Sequence, residues 1–170
     1  SPGREIAGKT IGVIGLGAIG QRTAKLAQAF GCNVIAWNRT PRIVAGVTIV
    51  DKETLFKEAD IVTIHIALND ETRDFVTAKE LALMKRSSII VNAARGPVVN
   101  AQDLSDALKE GRILGAALDV YDVEPPLDSN NPMLDAPNTI LLPHIGFATK
   151  EAFELRLGIV VNNVEQFCKQ

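Results

Sequence analysis

Short apolar runs recur along the chain, separated by polar turns and by stretches with helical spacing. The runs fall at residues 9–14, 34–37, 61–66, 88–92, 113–120 and 139–142, with a shorter one at 47–50. Most are continuous rather than alternating, the pattern of strands buried on both faces. Between them the spacing predicts helices. Residues 18–30 carry Ile19, Thr23, Leu26, Ala27 and Phe30 at helical intervals, and Gly31 closes the helix. Asp51 can cap a short helix bearing Leu55 and Phe56, and Asn100 one bearing Leu104, Ala107 and Leu108. Thr77-Ala78-Lys79-Glu80 is a capping-box pattern that opens a helix through Met84. From Thr149 a long helix runs to the end, with Leu157, Val160, Val161, Val164 and Phe167 as its apolar face. Residues 1–8 read as a polar lead-in, 38–41 as a turn, 67–75 as a polar loop and 122–137 as a long proline-bearing loop. Strands alternating with helices predict an α/β fold, a doubly wound and mostly parallel sheet with helices on both faces. In such a sheet ligands sit beyond the carboxyl ends of the strands, so the residues just after each run are the candidates for chemistry.

The first strand run leads directly into Gly15-Leu16-Gly17-Ala18-Ile19-Gly20, and the first helix follows. This is G-x-G-x-x-G in the strand–turn–helix context that the dinucleotide-binding motif requires. Gly15 permits the turn, Gly17 lets a pyrophosphate reach the backbone, and Gly20 lets the helix pack close to the sheet. The N-terminus of the helix, at Ala18 and Ile19, offers unpaired N–H groups and the positive end of its dipole to the phosphates. The expected architecture is therefore Rossmann-type, with NAD(P) as the cofactor.

Composition narrows the range of partners. The chain has 170 residues, 46% of them hydrophobic, enough for one domain with a substantial core. A net charge of −2 gives no electrostatic case for nucleic acid or an anionic membrane surface. No apolar run reaches transmembrane length, and the N-terminus does not resemble a signal peptide. Cys32 and Cys168 lie far apart and form no C-x-x-C, so neither a disulfide framework nor a metal site is expected, and a cytoplasmic setting is.

Each strand end then offers a polar group. Asn38 follows the second strand, roughly twenty residues past the glycine motif, where an acid usually holds the ribose of NAD. With Asn38 neutral, repulsion of a 2′-phosphate is removed, and Arg39 can bind that phosphate; Thr40 belongs to the same turn, and Arg42 is a second cation. This favours NADP over NAD. His65 ends a buried strand and reads as structural or as lining the cofactor site. Ala93 and Arg95 follow the next strand; an arginine at a ligand edge can grip a carboxylate with two prongs. Asp119 ends the penultimate strand, Glu124 lies in the loop beyond it, and His144 follows the last strand. A histidine displayed there is a natural acid/base, and a neighbouring carboxylate orients its ring.

Four blocks together resemble the cofactor-binding domain of the D-isomer-specific 2-hydroxyacid dehydrogenases. They are Gly15-Leu16-Gly17-Ala18-Ile19-Gly20, Val91-Asn92-Ala93-Ala94-Arg95-Gly96, Ala117-Leu118-Asp119-Val120 with Glu124-Pro125, and Pro143-His144-Ile145-Gly146. The likeness covers essentially the whole chain. Asn131-Pro132-Met133-Leu134 and Ala148-Thr149-Lys150-Glu151-Ala152 lean toward the 3-phosphoglycerate dehydrogenase branch. The resemblance implies hydride transfer between a nicotinamide and C2 of a 2-oxo or D-2-hydroxy acid. It implies that Arg95 binds the substrate carboxylate, that His144 exchanges the proton, that Glu124 pairs with His144, and that Asp119 contacts the nicotinamide carboxamide. It also implies a homodimer through this domain. Asn38 in place of the usual acid and Ala67 in place of a common proline are departures. Family members carry a second, substrate-binding domain that this chain does not include, so residues 1–170 read as the cofactor domain and the fragment alone as nearly inactive. Two alternatives stand beside the enzyme. One is a dinucleotide-sensing module like the C-terminal-binding co-repressors. The other is another Rossmann enzyme, such as S-adenosylhomocysteine hydrolase, against which the Arg–Glu–His order argues.

Overall fold

The apolar runs pair into one seven-stranded sheet with the order β3-β2-β1-β4-β5-β6-β7. The computed structural model describes residues 3–40, 42–124 and 128–169. Pro41 of the expected turn, Pro125 and Pro126 of the expected loop, and the first two residues of the lead-in lie outside them. The strands are β1 (Thr10–Ile14), β2 (Asn33–Trp37), β3 (Val47–Ile49), β4 (Ile61–Ile64), β5 (Ile89–Asn92), β6 (Gly115–Leu118) and β7 (Thr139–Leu141). The helices are α1 (Ala18–Ala29), α2 (Lys52–Glu58), α3 (Ala78–Leu83), α4 (Ala101–Lys109) and α5 (Lys150–Cys168). Two short 3-10 turns are Gly96–Val98 and Pro132–Asp135, the second within the stretch expected as a long loop. Every neighbouring strand pair is parallel. Val13 of β1 stands beside Ala36 on one side and Thr63 on the other. The strand order therefore reverses at the carboxyl end of β1, and a crevice opens there.

The two faces of the sheet have separate cores. Ile11, Val13, Val34 and Ala36 pack with Ala24 of α1. Ile14, Ile35, Val62, Ile64 and Ile90 pack with Leu55, Phe56, Leu81, Leu104 and Leu108 from α2, α3 and α4. Phe56 is wholly buried, a gain of about 2–3 kcal/mol for one side chain. The expected caps form: Asp51 accepts from the Thr54 N–H at 2.9 Å, and Asn100 from the Asp103 N–H at 3.1 Å. Thr77 and Glu80 make both halves of the capping box. Glu80 is buried, and Lys52 stands 3.0 Å from it while its ammonium also donates to the Phe75 carbonyl. Burial alone would raise the Glu80 carboxyl; the Lys52 and Thr77 donors outweigh it and hold it below its ordinary value.

Two apolar stripes are largely exposed. Of the helically spaced residues of α1, Ala27 packs on the sheet, while Ile19, Leu26 and Phe30 are 69%, 62% and 63% exposed. The inward residues are Gly20 and Ala24. A Cβ at residue 20 would stand 1.9 Å from the Gly15 carbonyl oxygen and 3.4 Å from Val13 Cγ1. The helix lies so low on β1 that size, not hydropathy, selects its inner face. The second is the apolar face of α5, which buries none of its residues; Leu157, Val160, Val161, Val164 and Phe167 are all exposed. Helical spacing of apolar residues marks a face but not its partner, and no element among the described residues covers this one. No described helix is long and apolar enough to cross a membrane.

Gly20→Ala should therefore lower unfolding stability by about 2–3 kcal/mol or more. At Gly17 a Cβ meets nothing within 4 Å, so Gly17→Ala should cost less than about 1 kcal/mol. Urea denaturation of both variants measures the difference, and a Gly20→Ala midpoint equal to wild type would refute the packing argument.

Candidate active site

The glycine turn is held from β2. The Gly15 N–H donates to the Trp37 carbonyl at 2.8 Å, and the Leu16 N–H to Asn38 Oδ1 at 2.8 Å. The Leu16 carbonyl accepts from Gln21 Nε2 and from Arg42 Nη1 at 2.9 and 3.1 Å. Gly15 has φ +94° and sits against the His65 carbonyl, so no other residue suits it. Gly17 caps α1 without a side-chain bond and is open to solvent. The first N–H groups of a helix have no partner within it, so Ala18 and Ile19 present donors beside an open cradle.

Beyond the turn a cavity of about 450 Å³ runs between the ends of β2 and β4. Trp37, Asn38, Arg39 and Thr40 form one wall; Ala67, Glu71 and Thr72 belong to the other. Asn38 is fully engaged, since its amide also donates to the Thr40 carbonyl at 2.5 Å. Arg39, the cation expected to bind a 2′-phosphate, is paired with Glu71 at 3.0 Å. Arg42, expected as a second one, is bonded to the glycine turn. His65 lines this cavity, and its Nε2 shares a hydrogen bond of 3.0 Å with Thr63 Oγ1. Burial lowers the His65 pKa below its ordinary value, so the ring is neutral at physiological pH.

A second cavity, about 870 Å³, continues along the edge and shares His65, Ile66 and Ala67 with the first. Ile19, Ala93, Arg95, Asp119 and His144 line it. The Arg95 loop is shaped by buried Asn92, whose amide donates to the Arg95 carbonyl at 3.0 Å and accepts from the Ala94 N–H at 3.1 Å. The exposed Arg95 guanidinium folds back onto the Ala94 carbonyl at 2.6 Å. Asp119 is buried, and its two oxygens accept from the Ile145 and Gly146 N–H groups at 2.8 and 2.7 Å. That grip sets the turn after β7, in which His144 has φ +54°.

His144 Nδ1 is hydrogen-bonded to Glu124 Oε2. The other oxygen of Glu124 accepts from the Tyr121 N–H at 2.5 Å, and the Tyr121 hydroxyl donates to the Leu142 carbonyl at 3.0 Å. The carboxylate thus claims one ring nitrogen and leaves Nε2 for exchange. Glu124 itself stands behind the histidine, lining a neighbouring cleft of about 460 Å³ rather than the main trough. Arg95, Asp119 and His144 share one cavity; Glu124 reaches it through His144. Asn92, Tyr121 and Arg156 were not foreseen. A buried asparagine at a strand end was the available signal for Asn92. Arg156, whose guanidinium lies 4.7 Å from the Phe147 ring, comes from a helix interior, where no strand-end rule points.

Residues 1–146 match the family described as D-isomer specific 2-hydroxyacid dehydrogenase, NAD binding domain. The D-3-phosphoglycerate dehydrogenase of Methanocaldococcus jannaschii is 46% identical over 169 residues, 96% of this chain and 32% of that protein. The glyoxylate reductase of Thermococcus litoralis is 43% identical over 171 residues, 98% of this chain and 51% of the relative. A phosphoglycerate oxidoreductase of Vibrio cholerae superposes with a TM-score of 0.90 at 34% identity, over 99% of this chain and 55% of the other. The chain spans a third to about half the length of these proteins. With the sheet order, the glycine turn and the histidine–carboxylate pair in place, the chain belongs to the D-isomer specific 2-hydroxyacid dehydrogenases, as their NAD-binding domain.

Proposed function

We propose that the trough binds a nicotinamide dinucleotide, NADP in preference to NAD, and presents it at His144 to a 2-oxo or D-2-hydroxy acid. The observation that carries this reading is the trough itself, which has an open glycine cradle at one end and a carboxylate-oriented histidine at the other. When bound, the dinucleotide supplies or accepts the hydride at substrate C2. The chain's own residues do the rest. Gly17 and the N–H groups of Ala18 and Ile19 hold the pyrophosphate. Asn38, Arg39 and Thr40 face the adenosine ribose, and neutral His65, with Ala93, lines the middle of the groove. Each Asp119 oxygen keeps a lone pair beyond its backbone bond and can accept from the carboxamide. Arg95, on a long exposed side chain, swings from its own loop to the substrate carboxylate. His144 Nε2 gives its proton to the carbonyl oxygen in reduction and takes it back in oxidation, while Nδ1 stays bonded to Glu124.

The matched relatives are longer, and in this reading their further half supplies the wall that positions substrate and excludes water. The 170 residues alone should bind dinucleotide yet turn over 2-oxo acids very slowly, because positioning supplies several kcal/mol of a barrier. The free thiols of Cys32 and Cys168 suit a reducing, cytoplasmic setting, and small 2-oxo acids rather than nucleic acid or membrane are the partners. The exposed apolar side chains of α1 and α5 support pairing of two copies through this domain.

Three measurements test the proposal. Calorimetric titration should show NADPH binding tighter than NADH, with Arg39→Ala weakening NADPH about tenfold and narrowing the gap. Equal affinities in wild type would remove the NADP preference. In the protein carrying both domains, His144→Ala should lower kcat about 100- to 10,000-fold with cofactor affinity nearly unchanged, whereas Arg95→Ala should also raise KM for the oxo acid. A wild-type kcat in His144→Ala would remove the proton-transfer role. Sedimentation at concentrations on the order of tens of micromolar should show a dimer; monomer alone would contradict the pairing.

A further inference from the structure

Among the described residues, the charged groups lining the adenosine end of the trough are Arg39 and Glu71, and they face each other across it. Arg39 follows β2 and Glu71 belongs to the loop after β4, so the two come from opposite walls with β1 between them. Their Nη1–Oε2 separation is 3.0 Å, and the side chains are 71% and 72% exposed. An ion pair so exposed contributes little to stability and opens readily.

The Glu71 backbone, by contrast, is firmly placed. Asn69 Oδ1 accepts from the Glu71 and Thr72 N–H groups, each at 3.0 Å. The Thr72 hydroxyl donates to the Ala67 carbonyl at 2.7 Å, and the Arg73 N–H to the Asn69 carbonyl at 2.9 Å. This braced loop carries its carboxylate to Arg39. Asn38 makes no charge at this end, and both halves of its amide are engaged.

We propose that Glu71 is a cofactor-specificity residue, one that competes with the adenosine 2′-phosphate for the Arg39 guanidinium. This rests on the reading of the trough as a dinucleotide site. A ribose bearing a 2′-hydroxyl leaves the ion pair in place. A 2′-phosphate has to draw Arg39 away from Glu71 and then sit near a carboxylate of its own sign. The acid that disfavours the phosphate in many dinucleotide sites stands at the end of the second strand; here that position is neutral and the acid acts from the opposite wall. Glu71 thus tempers the preference that Asn38 and Arg39 create.

The test is calorimetric titration of the chain with NADPH and with NADH, in wild type, Glu71→Gln, Arg39→Ala and the double variant. Glu71→Gln should raise the ratio of NADPH to NADH affinity about three- to ten-fold, the size of one exposed charge pair plus relief of like-charge repulsion. In the Arg39→Ala background the same substitution should change the ratio much less, because the contested group is gone. A ratio that is unchanged or falls in Glu71→Gln, or that rises equally without Arg39, overturns the proposal while leaving the dinucleotide site intact. If wild type binds neither dinucleotide, the reading of the trough fails, and this inference fails with it.

Discussion

Everything at the ligand edge depends on how closely α1 approaches β1. With only a hydrogen at residue 20, the helix settles onto the Gly15 carbonyl, and its first turn points across the crevice where the strand order reverses. A thicker residue would lift the helix and turn its N–H groups away from the groove. The Leu16 backbone, buried at the pivot, is then tied on both sides, its N–H to Asn38 and its carbonyl to Gln21 and Arg42. A neutral amide at residue 38 therefore braces the turn as well as lining the cavity beside it.

The rest of the edge is organised by side chains that bond backbone. Asn92 shapes the loop that displays Arg95, and Asp119 gathers the two N–H groups that follow His144. Glu124 is itself held by the Tyr121 N–H before it meets the histidine. A bond to a backbone amide leaves few geometries open, so each displayed group inherits the rigidity of the sheet through one buried or half-buried anchor. Arg95 differs: its loop is fixed, but its guanidinium is exposed and folds back onto the Ala94 carbonyl.

Much of this was legible in the residues alone, and the reason is locality. Strand runs, caps and the glycine turn are decided within a few positions, and Asp51, Thr77 and Asn100 all cap as their spacing implies. The fold class followed from the order of the elements. Strand ends were less legible: the run expected over 61–66 closes as a strand at Ile64, and the run expected from Ile113 begins at Gly115. The inner face of α1 lies off most of its apolar spacing, because that spacing reports hydropathy, whereas the close approach selects small residues. Arg39–Glu71 was hidden because it joins two loops 32 positions apart, where no periodicity or motif links the partners. The long terminal helix was foreseen as an element, but what covers its apolar side is a tertiary fact that spacing does not contain.

The left-handed backbone at His144 carries a further meaning. Glycine settles there most easily and asparagine, aspartate and histidine follow, and a non-glycine residue carries strain on the order of 1 kcal/mol or more. Asp119 compensates by accepting from the next two N–H groups. By conformational preference alone a glycine at 144 would make a calmer turn. Selection for thermal endurance, or an engineer ranking substitutions by folding energy, would drift toward that glycine and lose the imidazole. At this position the chain carries a ring on a backbone that a glycine would adopt with less strain.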